Sequence, residues 1–180
     1  MEKFEITSLL EGRPEDISNL KEKICYDILD KLNITYQRVE YNFFPNDLEN
    51  LKLIDKTLEV DGIKNLIFKE KNKNQFYFII LPREKRFNEK EFRNKFEIPK
   101  VTMAKEDDLK ELLKTHSGAV SIMELINDEE NVIKLYIDEN VLNKAYFRFH
   151  PNENKSTIRI KMEDFKNKLI PYLNHEINIL

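Results

Sequence analysis

Two apolar runs, Asn65-Leu66-Ile67-Phe68 and Phe76-Tyr77-Phe78-Ile79-Ile80-Leu81, carry the clearest structural signal in this chain. Both runs are rich in β-branched and aromatic residues, which favour strands. The polar segment Lys71-Asn72-Lys73-Asn74 that separates them is suited to a turn. We therefore predict a β-hairpin with two central strands, and we expect Pro82 to end the second strand because proline cannot donate to the ladder.

The segment before this hairpin predicts a helix, a strand and a second helix. Apolar residues recur there at helical spacing, namely Ile17, Leu20, Ile24, Ile28 and Leu32. Pro14 suits the first turn of that helix. A short strand over 36–41 and a weaker helix over 48–58 follow.

The segment after the hairpin alternates short helices and strands. Helices are predicted over 88–96, from Lys105 onward, and through a closing segment that contains Phe165, Leu169 and Leu173. The strand candidates are 101–103, 132–137, 145–149, 157–160 and 177–179, with a turn at 151–154. This mixture predicts an α+β fold with a mixed, largely antiparallel sheet and surrounding helices.

Length and composition favour one domain that spans residues 1–180. The chain has 180 residues, of which 41% are hydrophobic, and this is enough for a single core. No apolar stretch is long enough for a membrane span, and the first residues do not resemble a signal peptide. We therefore expect a soluble, cytoplasmic protein.

The cysteine and histidine residues predict neither a disulfide nor a metal site. Cys25 is the one cysteine in the sequence, and its apolar helical context predicts a packed thiol rather than a nucleophile. His116, His150 and His175 do not have the spacing of zinc motifs. We predict no metal and no cofactor.

The charge of the chain is unevenly distributed. The net charge is −3, but residues 64–100 contain eleven Lys or Arg against five Glu, a net of +6. Such a segment is either a phosphate-attracting face or a chance result of a lysine-rich composition. The negative total disfavours a general nucleic-acid binder.

Polar residues and glycines at strand ends mark the candidate site. Read alone, the sequence contains no phosphate loop, nucleophile elbow or dinucleotide fingerprint. The segments at which strands begin or end are Gly62-Ile63-Lys64-Asn65, Ser117-Gly118-Ala119-Val120-Ser121 and Phe149-His150-Pro151-Asn152. Such segments are where binding and catalytic residues usually collect.

Six short motifs, in order, give the chain a resemblance to the prolyl-tRNA editing (YbaK-like) deacylase family over most of its length. They are Lys64-Asn65-Leu66, Leu81-Pro82, Gly118-Ala119-Val120-Ser121, Leu125-Ile126-Asn127-Asp128, His150-Pro151 and Thr157-Ile158-Arg159-Ile160. The resemblance implies a pocket that holds the 3′-terminal adenosine of a transfer RNA and its esterified amino acid. It also implies a single editing domain and hydrolysis of the aminoacyl ester.

The resemblance also implies roles for individual residues. The functional lysine of the family corresponds to Lys64, and its glycine loop corresponds to Gly118, whose flanking amides could contact the ester carbonyl. The residues expected to bind substrate are Ala119, Ser121, Ile122 and His150. The expected tRNA contacts are Lys69, Lys71, Lys73, Arg83 and Arg86.

Three structural alternatives stand beside these roles. Lys64 could be one surface lysine among many, Gly118 could be a helix C-cap, and His150 could be bonded to backbone at a strand end. Ile122 stands where the family commonly has proline, and this could alter the loop.

The function expected from the resemblance is trans-editing of mischarged tRNA, with alanyl-tRNA(Pro) as the first substrate and a separate prolyl-tRNA synthetase as a partner. The alternative is a module of the same fold that binds an amino acid or aminoacyl-tRNA as a sensor, with little or no hydrolysis.

Overall fold

A computed structural model describes residues 3–152 and 155–180, which form two β-sheets with helices packed around them. The strands are β1 (Leu10–Glu11), β2 (Tyr36–Glu40), β3 (Ile63–Glu70), β4 (Phe76–Pro82), β5 (Val101–Met103), β6 (Ile133–Ile137), β7 (Tyr146–Phe149), β8 (Ser156–Lys161) and β9 (Ile177–Ile179). The α-helices are α1 (Leu20–Lys31), α2 (Leu48–Leu58), α3 (Glu89–Phe96), α4 (Glu106–Leu113), α5 (Glu139–Leu142), α6 (Met162–Asp164) and α7 (Ile170–Tyr172). A 3₁₀ helix covers Ile122–Asn127, and a π-helical turn covers Phe165–Leu169.

The predicted hairpin is the centre of the larger sheet, whose strand order is β5-β3-β4-β6-β9. β3 and β4 pair antiparallel from Ile63 opposite Pro82 to Lys69 opposite Phe76. β5 pairs with the free edge of β3, and β6 pairs with β4 in parallel. The prediction that both hairpin strands are central and that Pro82 ends the second is confirmed.

The apolar run in β4 is continuous because both faces of this sheet are covered. Phe78 and Ile80 point into the main core, whereas Tyr77, Ile79 and Leu81 belong to a second cluster with α3. Alternate residues of one strand therefore fill two separate cores.

The smaller sheet is antiparallel throughout, with strand order β1-β2-β8-β7. Its inner residues, including Tyr36, Phe147 and Ile160, pack into the same core as Phe78 of the larger sheet and Leu29 of α1. The α+β fold with mixed and largely antiparallel sheets is confirmed.

Most predicted boundaries are confirmed, and three details of the helices differ. α1 begins at Leu20, where the side chain of Asn19 caps its first amides, so Pro14 lies outside the helix. α4 ends at Leu113, and Lys114 is its C-cap in the left-handed conformation, so Gly118 is not the cap. The closing segment contains a π-turn, and the Phe165 ring in this turn stacks on Phe147 with 3.7 Å between ring centroids.

Three further predictions can be placed against the structure. Cys25 is fully buried in α1, and burial raises the pKa of its thiol, as expected for a packed thiol. The second half of the predicted 151–154 turn, Glu153 and Asn154, lies outside the described residues. The described helices include none that is both long enough and apolar enough to span a bilayer.

The C-cap of α3 provides a stability prediction. Exposed Glu97 has a left-handed backbone conformation, with φ of 52°, which glycine adopts without a steric cost. We expect Glu97→Gly to raise the free energy of unfolding by about 0.5–1 kcal/mol. Lys90→Gly, inside the same helix, is expected to lower it by about 0.5 kcal/mol. Urea denaturation measures both, and equal effects of the two changes would contradict the assigned helix end.

Candidate active site

A cavity of about 340 Å³ lies where the open end of the β3–β4 hairpin meets the loop after α4 and the end of β7. We call the segment 114–121 the glycine loop. The residues that line the cavity are Phe44, Leu51, Ile63, Lys64, Asn65, Arg83, Gly118, Val120, Arg148, Phe149, His150 and Thr157. The wall therefore combines cationic and amide groups with apolar side chains.

Lys64 and Gly118 line the same cavity, although they lie far apart in sequence. Lys64 is in β3 opposite Leu81, and within residues 3–152 and 155–180 its ammonium has no carboxylate partner. Gly118 has a φ of +83°, in the region that favours glycine. The lining thus combines a lysine that has no carboxylate partner among the described residues with a stretch of backbone that a ligand can approach closely.

The amides of the glycine loop are not equivalent. The N–H of Ser117 donates to Glu106 Oε2 at 3.0 Å, and the N–H of Ala119 donates to the His116 carbonyl at 3.1 Å. Within the described part of the chain, the N–H of Gly118 has no such acceptor. Of the amides at and beside Gly118, the one that remains open to a ligand is therefore that of Gly118 itself.

The Val120 backbone lies beside two side chains of the cavity wall. Asn65 Nδ2 donates to its carbonyl oxygen at 2.8 Å, and the His150 ring is close enough to this backbone to affect the pKa of the imidazole. Asn65 Oδ1 and His150 Nδ1 are buried and lack partners among the described residues. Since buried polar atoms are normally paired, these two atoms indicate the position of a polar ligand or water.

His150 is neutral at physiological pH. Burial lowers the pKa of its imidazole to about 4, and the nearby charge of Arg148 acts in the same direction, against the bond to Val120. A neutral imidazole has one nitrogen with a lone pair, and Asn65 Oδ1 is also an acceptor.

A cluster of two arginines and one aspartate forms another part of the wall. Arg83 binds Asp55 of α2 through two nitrogens, at 2.6 and 2.9 Å. Arg148 of β7 also donates to Asp55, and to the Val60 carbonyl at 3.2 Å. Burial lowers the pKa of Arg148, and the Asp55 charge opposes this effect. With Lys64, the cluster leaves the cavity with excess positive charge.

Gly62 is required for the position of Arg83. A β-carbon added at residue 62 would lie 2.1 Å from Arg83 Cζ, closer than any real contact. The guanidinium therefore packs directly against the backbone of this residue. Gly62 is therefore needed because it lets the Arg83 side chain pack against the backbone, and not because it forms a turn.

Three of the predicted substrate-binding residues do not line the cavity. Ala119, Ser121 and Ile122 are all buried, and Ile122 is part of the main hydrophobic core. Ile122 starts the 3₁₀ helix, and Ser121 is its N-cap. The fourth predicted residue, His150, does line the cavity.

The predicted tRNA contacts are spread over the molecule. Arg83 lines the cavity, whereas Lys69, Lys71 and Lys73 lie at the closed end of the hairpin, about 20 Å from Lys64 along the strand. Lys69 pairs with Asp108 at 2.5 Å, and Lys73 pairs with Glu70 at 2.6 Å. The basic segment therefore does not form one surface around the cavity.

No sequence pattern indicated a role for the side chains of Asn65, Arg148 or Asp55. Arg148 carries a weak signal, because it is a charged residue inside the apolar strand Tyr146-Phe147-Arg148-Phe149. Asp55 carries none, since its partners are 28 and 93 residues away. The described residues contain no group of three His, Cys, Asp or Glu that could hold a metal ion.

The buried ion pair of Arg148 gives a second stability prediction. Removal of Asp55 leaves a buried guanidinium with one carbonyl acceptor, so Asp55→Ala should lower the free energy of unfolding by about 3–5 kcal/mol. The control is Asp61→Ala, because Asp61 is exposed and its pair with Lys144 is a surface pair with an effect of about 0–1 kcal/mol. Chemical denaturation compares the two, and similar losses would contradict the role of Asp55.

Comparison with known structures supports the fold. A crystal structure of a candidate trans-editing enzyme for prolyl-tRNA synthetase matches with a TM-score of 0.63 at 12% identity, over 91% of this chain and 98% of the other. A crystal structure of a hypothetical protein matches with a TM-score of 0.63 at 14% identity, over 84% of this chain and 94% of the other. At these identities the matches show a shared fold.

Comparison with known sequences shows the family. The chain is 28% identical over 138 residues to the prolyl-tRNA editing protein ProX of Acetoanaerobium sticklandii, which is 77% of this chain and 84% of that protein. A model of the aminoacyl-tRNA editing domain family matches residues 50–168. Because this match covers more than half of the chain, the protein belongs to the aminoacyl-tRNA editing family and is an aminoacyl-tRNA deacylase.

Proposed function

We propose that this protein acts in trans on tRNA(Pro) that carries the wrong amino acid, and that it hydrolyses the alanyl ester of alanyl-tRNA(Pro). The observation that carries the proposal is one small cavity whose lining includes Lys64, which has no carboxylate partner among the described residues, and two unpartnered polar atoms on Asn65 and His150. An aminoacyl ester has the complementary groups, a carbonyl that becomes negative during hydrolysis and a positive α-ammonium.

Lys64 and Gly118 are the proposed catalytic groups. Water adds to the ester carbonyl, and the Lys64 ammonium together with the Gly118 N–H stabilises the negative charge on its oxygen. The C–O bond to the ribose then breaks, and the proton given up by the attacking water passes to the departing ribose oxygen, which releases the free amino acid and the 3′-terminal hydroxyl of the tRNA. The one hydroxyl side chain in the lining, that of Thr157, lies 3.0 Å from the Tyr41 hydroxyl, so the ribose hydroxyl beside the ester is the better group to position water.

Asn65 and His150 are the proposed binding groups for the α-ammonium. The Val120 carbonyl accepts from the donor side of Asn65, so Asn65 Oδ1 remains as an acceptor, and the neutral imidazole of His150 offers a second one. An ammonium group donates three hydrogen bonds and has no lone pair, which matches two neighbouring acceptors. The neutral state of His150 is essential here, since an imidazolium would repel the ligand.

Alanine as the amino acid is supported by the size of the site. The cavity of about 340 Å³ must also hold the terminal ribose, and Ile63 and Phe149 contribute apolar walls. A small apolar side chain therefore fits the remaining space. Discrimination by pocket size alone is worth about 1–3 kcal/mol per methylene.

Arg83 is the proposed contact for the phosphate next to the terminal nucleotide, and half-exposed Phe44 is available for base stacking. Of the basic residues predicted from sequence, Arg83 and exposed Arg86 follow β4 at the cavity end of the hairpin. The lysines at its closed end are too far away for the same nucleotides. We therefore propose the arginine end as the tRNA contact.

We also propose that residues 1–180 form one editing domain, that its partner is a separate prolyl-tRNA synthetase, and that it works in the cytoplasm with the translation apparatus. The family match starts at residue 50, but β2 pairs with β8 and α1 packs into the main core. The segment before residue 50 is thus structurally part of the same unit.

Deacylation of alanyl-tRNA(Pro) tests the role of Lys64. We expect Lys64→Ala to lower kcat/KM at least about 100-fold, because the developing oxyanion loses its nearest cation. Lys71→Ala, which removes an exposed lysine of the same hairpin, is expected to change kcat/KM less than about twofold. Binding without hydrolysis by the wild-type protein would instead support the sensor alternative, and full activity of Lys64→Ala would refute the mechanism.

Substrate analogues test the ammonium site. Lactyl-tRNA(Pro) replaces the α-ammonium with a hydroxyl of similar size, and we expect its kcat/KM to be at least about tenfold below that of the alanyl ester. Asn65→Ala should reduce this preference, because one acceptor is lost. If the variant retains the full preference, the ammonium is bound elsewhere.

A further inference from the structure

The peptide group between Val120 and Ser121 contacts two parts of the protein at once. Its carbonyl accepts from Asn65 in the cavity wall at 2.8 Å, and the His150 ring lies close to the Val120 backbone. Its N–H donates to Glu124 Oε2 at 3.0 Å, on the side away from the cavity. A planar peptide fixes these two directions relative to each other.

Glu124 does not line the cavity and is 2% exposed. It is the N3 residue of the 3₁₀ helix and forms a reciprocal capping box with Ser121, whose hydroxyl also donates to the His150 carbonyl at 2.7 Å. Such a box has a structural role in many helices. Here, however, the capped peptide is the one whose carbonyl accepts from Asn65 in the cavity wall.

We propose that Glu124 is a positioning residue of the deacylase: its ionised carboxylate fixes the 120–121 peptide and thereby aims Asn65 and His150 at the substrate. This proposal rests on the proposed ammonium site. A carboxylate accepts an amide hydrogen more strongly than a neutral carboxyl group does. The charge state of Glu124 is therefore transmitted to the cavity through one peptide plane.

The surroundings of Glu124 give this link a pH dependence. Burial raises the pKa of its carboxyl group to about 7, against the hydrogen bonds from Ser121 and Thr115 and the charge of Lys21. Lys21 of α1 is the charged residue that acts on Glu124 within the described part of the chain, and its Nζ donates to the Lys114 carbonyl. Glu124 is thus protonated below neutral pH and ionised above it.

The test compares kcat/KM for alanyl-tRNA(Pro) in the wild type and in Glu124→Gln from pH 5.5 to 8.5. The amide of glutamine retains an acceptor oxygen but stays neutral at every pH. We expect the wild-type to variant ratio to rise from about one at the acid end to about tenfold at the basic end. Titration of the substrate ammonium and hydroxide-driven hydrolysis are common to both proteins and cancel in the ratio.

Glu106→Gln is the matched control. Glu106 is another carboxylate that accepts an amide of the glycine loop, that of Ser117, but this amide is not part of the 120–121 peptide. The ratio of wild-type kcat/KM to that of Glu106→Gln should stay near one at every pH. A pH-independent ratio for Glu124→Gln, or the same rise for both variants, would overturn the proposal.

The Ser121 amide provides a readout that does not depend on turnover or on the folding of a variant. In the wild type, its nitrogen and proton chemical shifts should titrate with a midpoint near pH 7, and the shifts of Ser117 should not. Absence of this titration would overturn the link to Glu124. If the wild type hydrolyses no alanyl-tRNA(Pro) at any pH while Ser121 titrates, the proposed function fails and the connection between Glu124 and the peptide stands.

Discussion

The site depends on one carbonyl oxygen, that of Val120. It accepts a hydrogen bond from Asn65 at the end of the hairpin, and the His150 ring at the end of β7 lies close to the Val120 backbone. The larger sheet, the smaller sheet and the glycine loop therefore meet at this peptide. Because the carbonyl occupies the donor side of Asn65, the Oδ1 of that side chain is left for a ligand.

The charged residues of the candidate site lie around the same small cavity. The cationic wall of Lys64, Arg83 and Arg148 faces the cavity, and Asp55 holds the two guanidiniums from the side of α2. This arrangement favours an anion, such as an ester oxygen during hydrolysis or a phosphate. The acceptors on Asn65 and His150 favour a cation. An aminoacyl ester at the end of a tRNA presents both charges, which is why the cavity suits it better than a simple anion or a free amine.

The sequence predicted the fold well, because the elements that define it have local signals. The hairpin, α2, α3 and β5 follow from runs of apolar residues and from turn and cap residues near their ends. The start of the first helix predicted from Pro14 is wrong, because the Asn19 cap sets the true start. The alternative that Gly118 caps α4 is also wrong, because Lys114 takes the left-handed conformation that glycine usually adopts.

The sequence indicated only those residues of the candidate site that belong to short local motifs. Lys64, Gly118 and His150 came from short motifs, and the structure places all three in one lining. Arg148 and Asp55 act through long-range pairs that no local pattern reveals. Ser121 and Ile122 belong to the motif, but they serve the cap and the core behind the site.

The most direct measurement is a crystal structure with a non-hydrolysable 3′-alanylamido-adenosine. We expect the α-nitrogen to lie within about 3.2 Å of Asn65 Oδ1 and of the unprotonated ring nitrogen of His150, with the carbonyl oxygen directed towards Lys64 Nζ. An analogue bound in the cavity with its carbonyl turned away from Lys64, or bound at another site, would contradict it.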